Sequence, residues 1–426
     1  TVSQKKLKFF RFLIDDSQLP IGDLTFAELR QQGKVYVDKT YFIYQLAGTH
    51  KPRILTRPRR FGKSTLLSTI EELFRHGVKP YDGHDSYFKG LAIESLWHDD
   101  GSYMVLHLNF DELNAGCATV TEFEQKLMGT VTAFCKEHQI DISDELAPVP
   151  YLLAPLDFSD VFHALIKNVP NRSLVLLIDE YDAPLISNAH DQEELLDGKL
   201  LLRSLFAPLK RYLYKFRCVF FTGTTSFQGL DLGPSANNFT DVSYYGRFAA
   251  CCGYTRAELK QYFAKHLRSV AAIRNDCTPD AVSDAHIEEL LDEMVSWYGG
   301  YSFDGAPQNQ VFAPDSVLKF LGDAKARLQP YQSTEQELPQ LLKCALERLD
   351  GSDVLQDMSS DQLVVDYYSF IESSPINPEA NPYALFFQSG YLTFSRTFLN
   401  GDPFHLKCPN QESNIALSKL LGQQAS

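Results

Sequence analysis

The run Thr56-Arg57-Pro58-Arg59-Arg60-Phe61-Gly62-Lys63-Ser64-Thr65-Leu66 follows a short apolar segment and precedes a helix-like pattern, Leu67 to Phe74. That setting suits a loop that wraps a phosphate, because amides at a helix N-terminus surround the anion and a lysine reaches its oxygens. Lys63 is the residue for that reach. Ser64 would put its hydroxyl on Mg²⁺, and Gly62 permits a backbone approach that a Cβ would obstruct. Where the usual pattern has its first glycine, this chain has Arg57. Gly-Lys-Ser is a weak signal by itself, and a surface turn before a helix is the competing reading. The flanking strand and helix must carry the claim.

A second cluster stands in Leu174-Val175-Leu176-Leu177-Ile178-Asp179-Glu180-Tyr181-Asp182. Five aliphatics read as a buried central strand, and ligands of an open α/β sheet gather at the C-terminal ends of its strands. Asp179 would sit beside Ser64 and hold Mg²⁺ through water. Glu180 would polarise the water that attacks a γ-phosphate, as a general base one hydrogen bond or one water away. Two carboxylates after a strand also suit a helix N-terminus. A third strand, Val219-Phe220-Phe221, ends in Thr222-Gly223-Thr224-Thr225-Ser226. Thr222 there would hydrogen-bond the attacking water, with Thr224 in reserve; a Thr/Ser-rich turn satisfying its own backbone is the alternative.

These residues need strands that end together. Val35–Val37, Arg53–Thr56, Val105–Leu108, Leu174–Ile178 and Cys218–Thr222 are short apolar runs, each followed by a helical pattern. Continuous apolar runs alternating with helices predict a parallel sheet covered on both faces, an α/β layer architecture. After about residue 253 the strands give way. Thr255-Arg256-Ala257-Glu258 reads as a capping box opening a helix through about Leu267. Ile287, Leu290, Leu291, Met294, Val295 and Tyr298 mark a second helix, which stops at Gly299-Gly300. A helix around Leu341 to Leu349, a Pro-rich stretch from Ser373 to Pro382 and a strand at Tyr391–Phe394 make a C-terminal lobe. No internal repeat interrupts this order.

Several blocks together resemble the prokaryotic AAA-ATPase-like family: Leu19-Pro20-Ile21-Gly22, Phe26-Ala27-Glu28-Leu29-Arg30, Tyr36-Val37-Asp38-Lys39-Thr40, Arg57 to Ser64, Ile178 to Asp182, Thr222-Gly223 and Cys252-Gly253-Tyr254-Thr255. The similarity spans roughly residues 18 to 315 and continues more weakly through Tyr298 to Phe303 and Gln388 to Thr393. The resemblance implies an α/β fold with a P-loop NTPase parallel-sheet core, a helical lid and a C-terminal α-rich lobe. Residues 1–17 would be an N-terminal extension, 18–253 the core, 254–325 the lid and 326–426 the lobe. It also implies ATP bound by Gly62, Lys63, Ser64 and Thr65, with Asp179 and Glu180 as the acidic pair, and the arginine at position 57 is itself part of the family's pattern. Members often carry a C-terminal nuclease domain; the tail from Cys408 to Ser426 has no D…E-x-K arrangement, so that activity is not expected of this chain. The stretch after Thr222-Gly223 also lacks a basic residue expected around Ser226. The implied function is Mg²⁺-dependent ATP binding and hydrolysis coupled to movement between lobes. A low-turnover nucleotide-dependent switch or scaffold, associated with nucleic acid or a nuclease partner, is the alternative. A phosphotransferase acting on a small molecule or nucleoside is a further rival.

Charge and composition bound the rest. The chain has 426 residues, 44% hydrophobic and 22% charged, and fits a folded protein of about two or three domains. With 40 basic against 54 acidic side chains its net charge is −14, so a polyanion is repelled unless basic groups gather locally. Arg57, Arg59 and Arg60 do gather beside the loop, and with Phe61 they join the candidate nucleotide contacts. They would neutralise nucleotide phosphates, contact nucleic acid, or form a solvated basic loop. Arg247 would serve a neighbouring subunit's site in a homo-oligomer, or simply pack. Asp38 and Thr40 are expected to cap a helix rather than bind a ligand. Eight scattered cysteines without a C-x-x-C pair fit reduced thiols. The basic and apolar start, Lys5 to Leu13, is split by Arg11, and no stretch reaches the ~18 apolar residues of a membrane helix; a cytoplasmic protein is expected. The histidines show no spacing for a catalytic zinc.

Overall fold

Five short apolar segments lie side by side as a parallel sheet in a computed structural model of the chain, which describes residues 16–22, 24–146, 156–188, 191–230, 232, 236–331, 342, 363–374 and 380–422. The strands are β1 (Arg53–Thr56), β2 (Met104–Asn109), β3 (Leu174–Asp179), β4 (Phe216–Gly223) and β5 (Thr240–Asp241), in the order β2-β3-β4-β1-β5. Each neighbouring pair is parallel. Thr56 stands opposite Gly223 and Ile178 opposite Phe221. The strand leading into the glycine-lysine loop, the strand ending in the carboxylates and the threonine-ending strand between them therefore finish at one edge of the sheet.

Period-two alternation divides the sheet's side chains between two cores. Leu55, Val105, Val175, Leu177, Cys218 and Phe220 face a core that includes Leu67, Ile70 and Leu73 of the helix Lys63–His76. Ile54, Leu106, Leu108, Leu176, Ile178, Val219 and Phe221 face the opposite core, built with the helices Val120–Glu137, Phe158–Asn168 and Gln192–Arg211. Both faces of the sheet are covered, which explains why its strands read as continuous apolar runs. Val35–Val37, an expected strand, is instead an extended segment that pairs with no strand among the described residues. Its side chains separate, Tyr36 into the first core and Val37 into a third, and its backbone is held by the Val35 amide donating to the Gln18 carbonyl at 2.9 Å.

The third core belongs to the helices Arg256–Tyr262, Ala264–Arg274, Asp284–Tyr298 and Pro314–Gly322. Thr255 and Glu258 form the expected capping box. The helix they open ends at Phe263, earlier than Leu267, where the backbone leaves the helical region (φ −113°, ψ 19°) before the next helix begins. Asp284–Tyr298 ends where Gly299-Gly300 predicts.

The described part of the C-terminal lobe contains helices Tyr367–Ile371, Pro382–Gln388 and Gln411–Gly422 and also an antiparallel sheet, β6 (Leu363–Val365), β7 (Thr393–Phe394) and β8 (Phe404–Lys407), in the order β6-β8-β7. The helix expected around Leu341 to Leu349 lies outside the described residues except for Leu342, and so does part of the Pro-rich stretch. This lobe shares the first core with the helix Lys63–His76 through Phe370, Phe386, Phe387, Phe394 and Phe404. The segment 299–305 forms the joint. Ser302 and Thr393 exchange hydrogen bonds of 2.7 and 2.8 Å. Gly300 and Gly305 adopt positive φ, 79° and 73°, where a Cβ would overlap the Pro409 and Arg396 carbonyls respectively. No helix among the described residues is long and apolar enough to cross a membrane.

Candidate functional site

The loop after β1 is anchored at its start by the Arg57 amide, which donates to the Gly223 carbonyl of β4 at 3.1 Å. At its end Gly62 has φ +92° and precedes the first residue of the helix Lys63–His76. Among the described residues no side chain caps that helix, so its opening amides remain available to an anion. Lys63 is buried, 3% exposed. Its ammonium donates to the carbonyls of Arg57 (2.9 Å) and Pro58 (3.2 Å) and pairs with Glu180 Oε1 at 3.0 Å. The basic and acidic segments therefore meet at one point. Ser64 is exposed beside it, and the Thr65 carbonyl accepts from the hydroxyls of Ser68 and Thr69.

On the acidic side, Asp179 is buried at the end of β3. Its Oδ1 accepts from the Thr222 hydroxyl at 2.5 Å and from the Glu180 amide at 3.1 Å. Its Oδ2 is buried and has no hydrogen-bond partner among the described residues. A hard carboxylate oxygen in that condition suits a divalent cation or its water, so the donor set fits Mg²⁺. Glu180 has φ +49°, a left-handed conformation that costs a residue with a Cβ about 1 kcal/mol or more. Its Oε2 accepts from the Thr224 hydroxyl at 3.1 Å.

Asp182 is fully buried. It accepts from the amides of Thr224 (3.1 Å) and Thr225 (2.7 Å) and from the Thr225 hydroxyl (2.6 Å). Burial, followed by the neighbouring charge of Glu180, pushes its carboxyl up to about 6, against the pull of the Thr225 bonds and Lys63. The Tyr181 amide donates to the Thr222 carbonyl and its hydroxyl to the Thr225 carbonyl, so the chain after β3 folds back onto the end of β4. Gly223 permits that closeness: a Cβ there would overlap the Tyr181 ring and lie 2.8 Å from Asp182 Oδ1.

The remaining candidates take different places. Arg57 is 1% exposed and donates to the carbonyls of Thr56, Ser243 and Phe248, with its guanidinium 4.0 Å from the Phe303 ring centroid. It is framed by protein on both Nη groups, unlike the phosphate-facing arginine expected from the loop. Arg59 is half exposed and 3.6 Å from Asp111, while Arg60, with φ +65°, bonds Asp315 at 3.1 Å. Phe61 is buried edge-on against Tyr301 and Phe303, with centroids at 4.9 and 5.6 Å. Arg247 is exposed and lies over the Phe248 ring. Asp38 accepts from the amides of Thr40, the first residue of the helix Thr40–Ala47, and of Ala92, but the N-cap position expected for it is held by Lys39, which makes no cap bond. Ser226 donates to the Ile371 carbonyl of the C-terminal lobe at 2.7 Å. Asp182 and Thr225 carry no assignment from the sequence; the spacing of Asp182 from Asp179 was visible, but not the turn of β4 that it grips. Among the described residues no group of three or more His, Cys, Asp or Glu side chains is placed to hold a metal ion, so Mg²⁺ would also need oxygens from Ser64, phosphate or water.

A family model described as predicted AAA-ATPase matches residues 20–232. An uncharacterized protein in the vnfD 5′ region of Azotobacter chroococcum mcd 1 is 28% identical over 421 residues, which is 95% of this chain and 70% of that protein. Among solved structures, the ORC2 protein of Aeropyrum pernix in its ADPNP–ADP complexes superposes with a TM-score of 0.34 and 11% identity, covering 98% of this chain and 99% of that one. Cdc6p from Pyrobaculum aerophilum gives a TM-score of 0.28 and 10% identity over 90% and 93% of the two chains. Neither superposition bears on function.

Proposed function

The chain belongs to the predicted AAA-ATPase family, and from that premise we propose that it binds ATP at the loop 57–62 and hydrolyses it with Glu180 as general base. The observation that carries the proposal is the meeting of Lys63 and Glu180 at 3.0 Å beside an Asp179 oxygen that is buried without a hydrogen-bond partner among the described residues. In the structure Lys63 pairs with Glu180 and donates to two loop carbonyls. A triphosphate on the opening amides of the helix competes for the ammonium, which turns to the β/γ oxygens. Glu180 is then released to accept a proton from water. Asp179 Oδ2 and the Ser64 hydroxyl would hold Mg²⁺, which when bound neutralises charge developing on the phosphates. Thr222 acts by fixing Asp179. We assign Arg57 to holding the loop on its frame, and Arg59 and Arg60 to the exposed rim of the site. Phe61 against Tyr301 and Phe303, and Arg60 on Asp315 of the helix Pro314–Gly322, support coupling between the occupied loop and the elements beyond residue 253.

The Lys63–Glu180 pair also favours a second reading, a switch that binds ATP and turns it over slowly, since the pair holds the base in a neutralised state. Two variants separate the readings. Lys63→Ala should weaken ATP binding at least about 10-fold, measured by calorimetry with and without Mg²⁺. Glu180→Gln should retain binding and lower phosphate release by about 10²-fold or more. Equal affinity of Lys63→Ala and wild type would refute the loop assignment, and turnover untouched by Glu180→Gln would leave the slow switch standing.

A further inference from the structure

Two threonines at the end of β4 serve two different carboxylates. Thr222 bonds Asp179; Thr224 bonds Glu180. Glu180 divides its oxygens between Lys63 on Oε1 and the Thr224 hydroxyl on Oε2. Resting on the hydrolytic reading above, we propose that Thr224 is a positioning residue that aims Glu180, and that Asp182 is the buried group that holds Thr224 in place.

The placement of Asp182 argues for this. It occupies the N-cap position of the helix Ala183–Ser187, yet its side chain makes no cap bond. An aspartate capping a helix in solvent is inexpensive, whereas a fully buried carboxylate costs several kcal/mol unless hydrogen bonds compensate. Here the hydrogen bonds among the described residues come from the turn that carries Thr224, two successive amides and the Thr225 hydroxyl, with the charge of Lys63 adding to them. Asp182 therefore ties the residue after Gly223 to the chain leaving β3, and the Thr224 hydroxyl arrives beside Glu180 as a consequence. The left-handed backbone at Glu180 fixes the stem of that side chain from the other side.

This arrangement selects the basic oxygen. The Thr224 hydroxyl donates its only proton to Oε2, and Lys63 vacates Oε1 when it turns to the triphosphate. Oε1 is then the atom that takes the proton. Water oxygen bonds to the γ-phosphorus, the bond from that phosphorus to the β–γ bridging oxygen breaks, and ADP leaves with the electron pair. Without Thr224 the carboxylate rotates freely about its last torsion, and fewer orientations present Oε1 to water.

The test uses the full chain and MgATP. Thr224→Val should lower kcat about 10-fold while KM and ATP affinity stay within about 2-fold, and Thr224→Ser should restore kcat to within about 3-fold of wild type. Asp182→Asn should reproduce the kcat loss, and Thr224→Val should add no further loss to Glu180→Gln because both act on one proton transfer. Thr224→Val with wild-type kcat overturns the proposal, as does a parallel rise in KM or failure of the serine to rescue. If Asp182→Asn does not fold, the valine and serine variants decide the matter by themselves. Wild-type protein that binds ATP without releasing phosphate instead overturns the hydrolytic reading and this assignment with it, an outcome distinct from active wild type with an indifferent Thr224.

Discussion

Gly223 is the position where the site has least room. It closes β4, its backbone carbonyl accepts from Arg57, and the Tyr181 ring and Asp182 carboxylate lie where a Cβ would project. Gly223→Ala should destabilise the protein by about 1–3 kcal/mol, seen as a lowered midpoint in denaturant unfolding, because both neighbours are buried and cannot retreat. The places of Lys63, Asp179 and Glu180, at a helix start and a strand end, were legible in the sequence because there the local chain determines position. Asp182 and Thr224 could not be assigned to one another in this way. Their contact forms only because two strands that are neighbours in the sheet but distant in sequence end in turns that wrap together. Arg57 is the converse case: its charge and neighbours suggest a phosphate, but the carbonyls that enclose it come from residues 243 and 248.

The helix Lys63–His76 is held to the sheet by more than apolar packing. Glu71 pairs with Arg75 on the same helix and with His107 of β2, at 2.9 and 2.7 Å, while Arg75 donates to the Val105 carbonyl. Burial raises the Glu71 carboxyl, but the His107 and Arg75 bonds outweigh it and hold the group below its ordinary value of 4.5. A depressed carboxylate contributes stability above its unfolded-state pKa and loses it as pH falls through the folded value. Glu71→Gln should therefore cost about 1 kcal/mol near neutral pH, with the gap from wild type closing in acid, as measured by urea unfolding across that range. β1 to β4 were legible because both faces of each are buried. β5 was not, being two residues, Thr and Asp, that pair with β1 at the sheet's edge. β6 and β8 escaped because three and four residues are too few for their period-two alternation to stand out in the sequence.

Across the whole molecule, Phe61 is a buried side chain that joins the loop to the chain beyond residue 253, together with Arg57 on Phe303 and Arg60 on Asp315. It is 2% exposed and packs on two aromatic rings of the 299–305 segment. Phe61→Ala should cost about 3–5 kcal/mol in denaturant unfolding, the loss expected of an aromatic cavity. That segment also receives the C-terminal lobe, with Gly300 against Pro409 and Gly305 against Arg396. Such a joint has heritable consequences. A crossover that replaced the last third of the chain with a homologue's would need to carry both walls of the seam at once, since a single methyl on either glycine meets main chain that cannot yield.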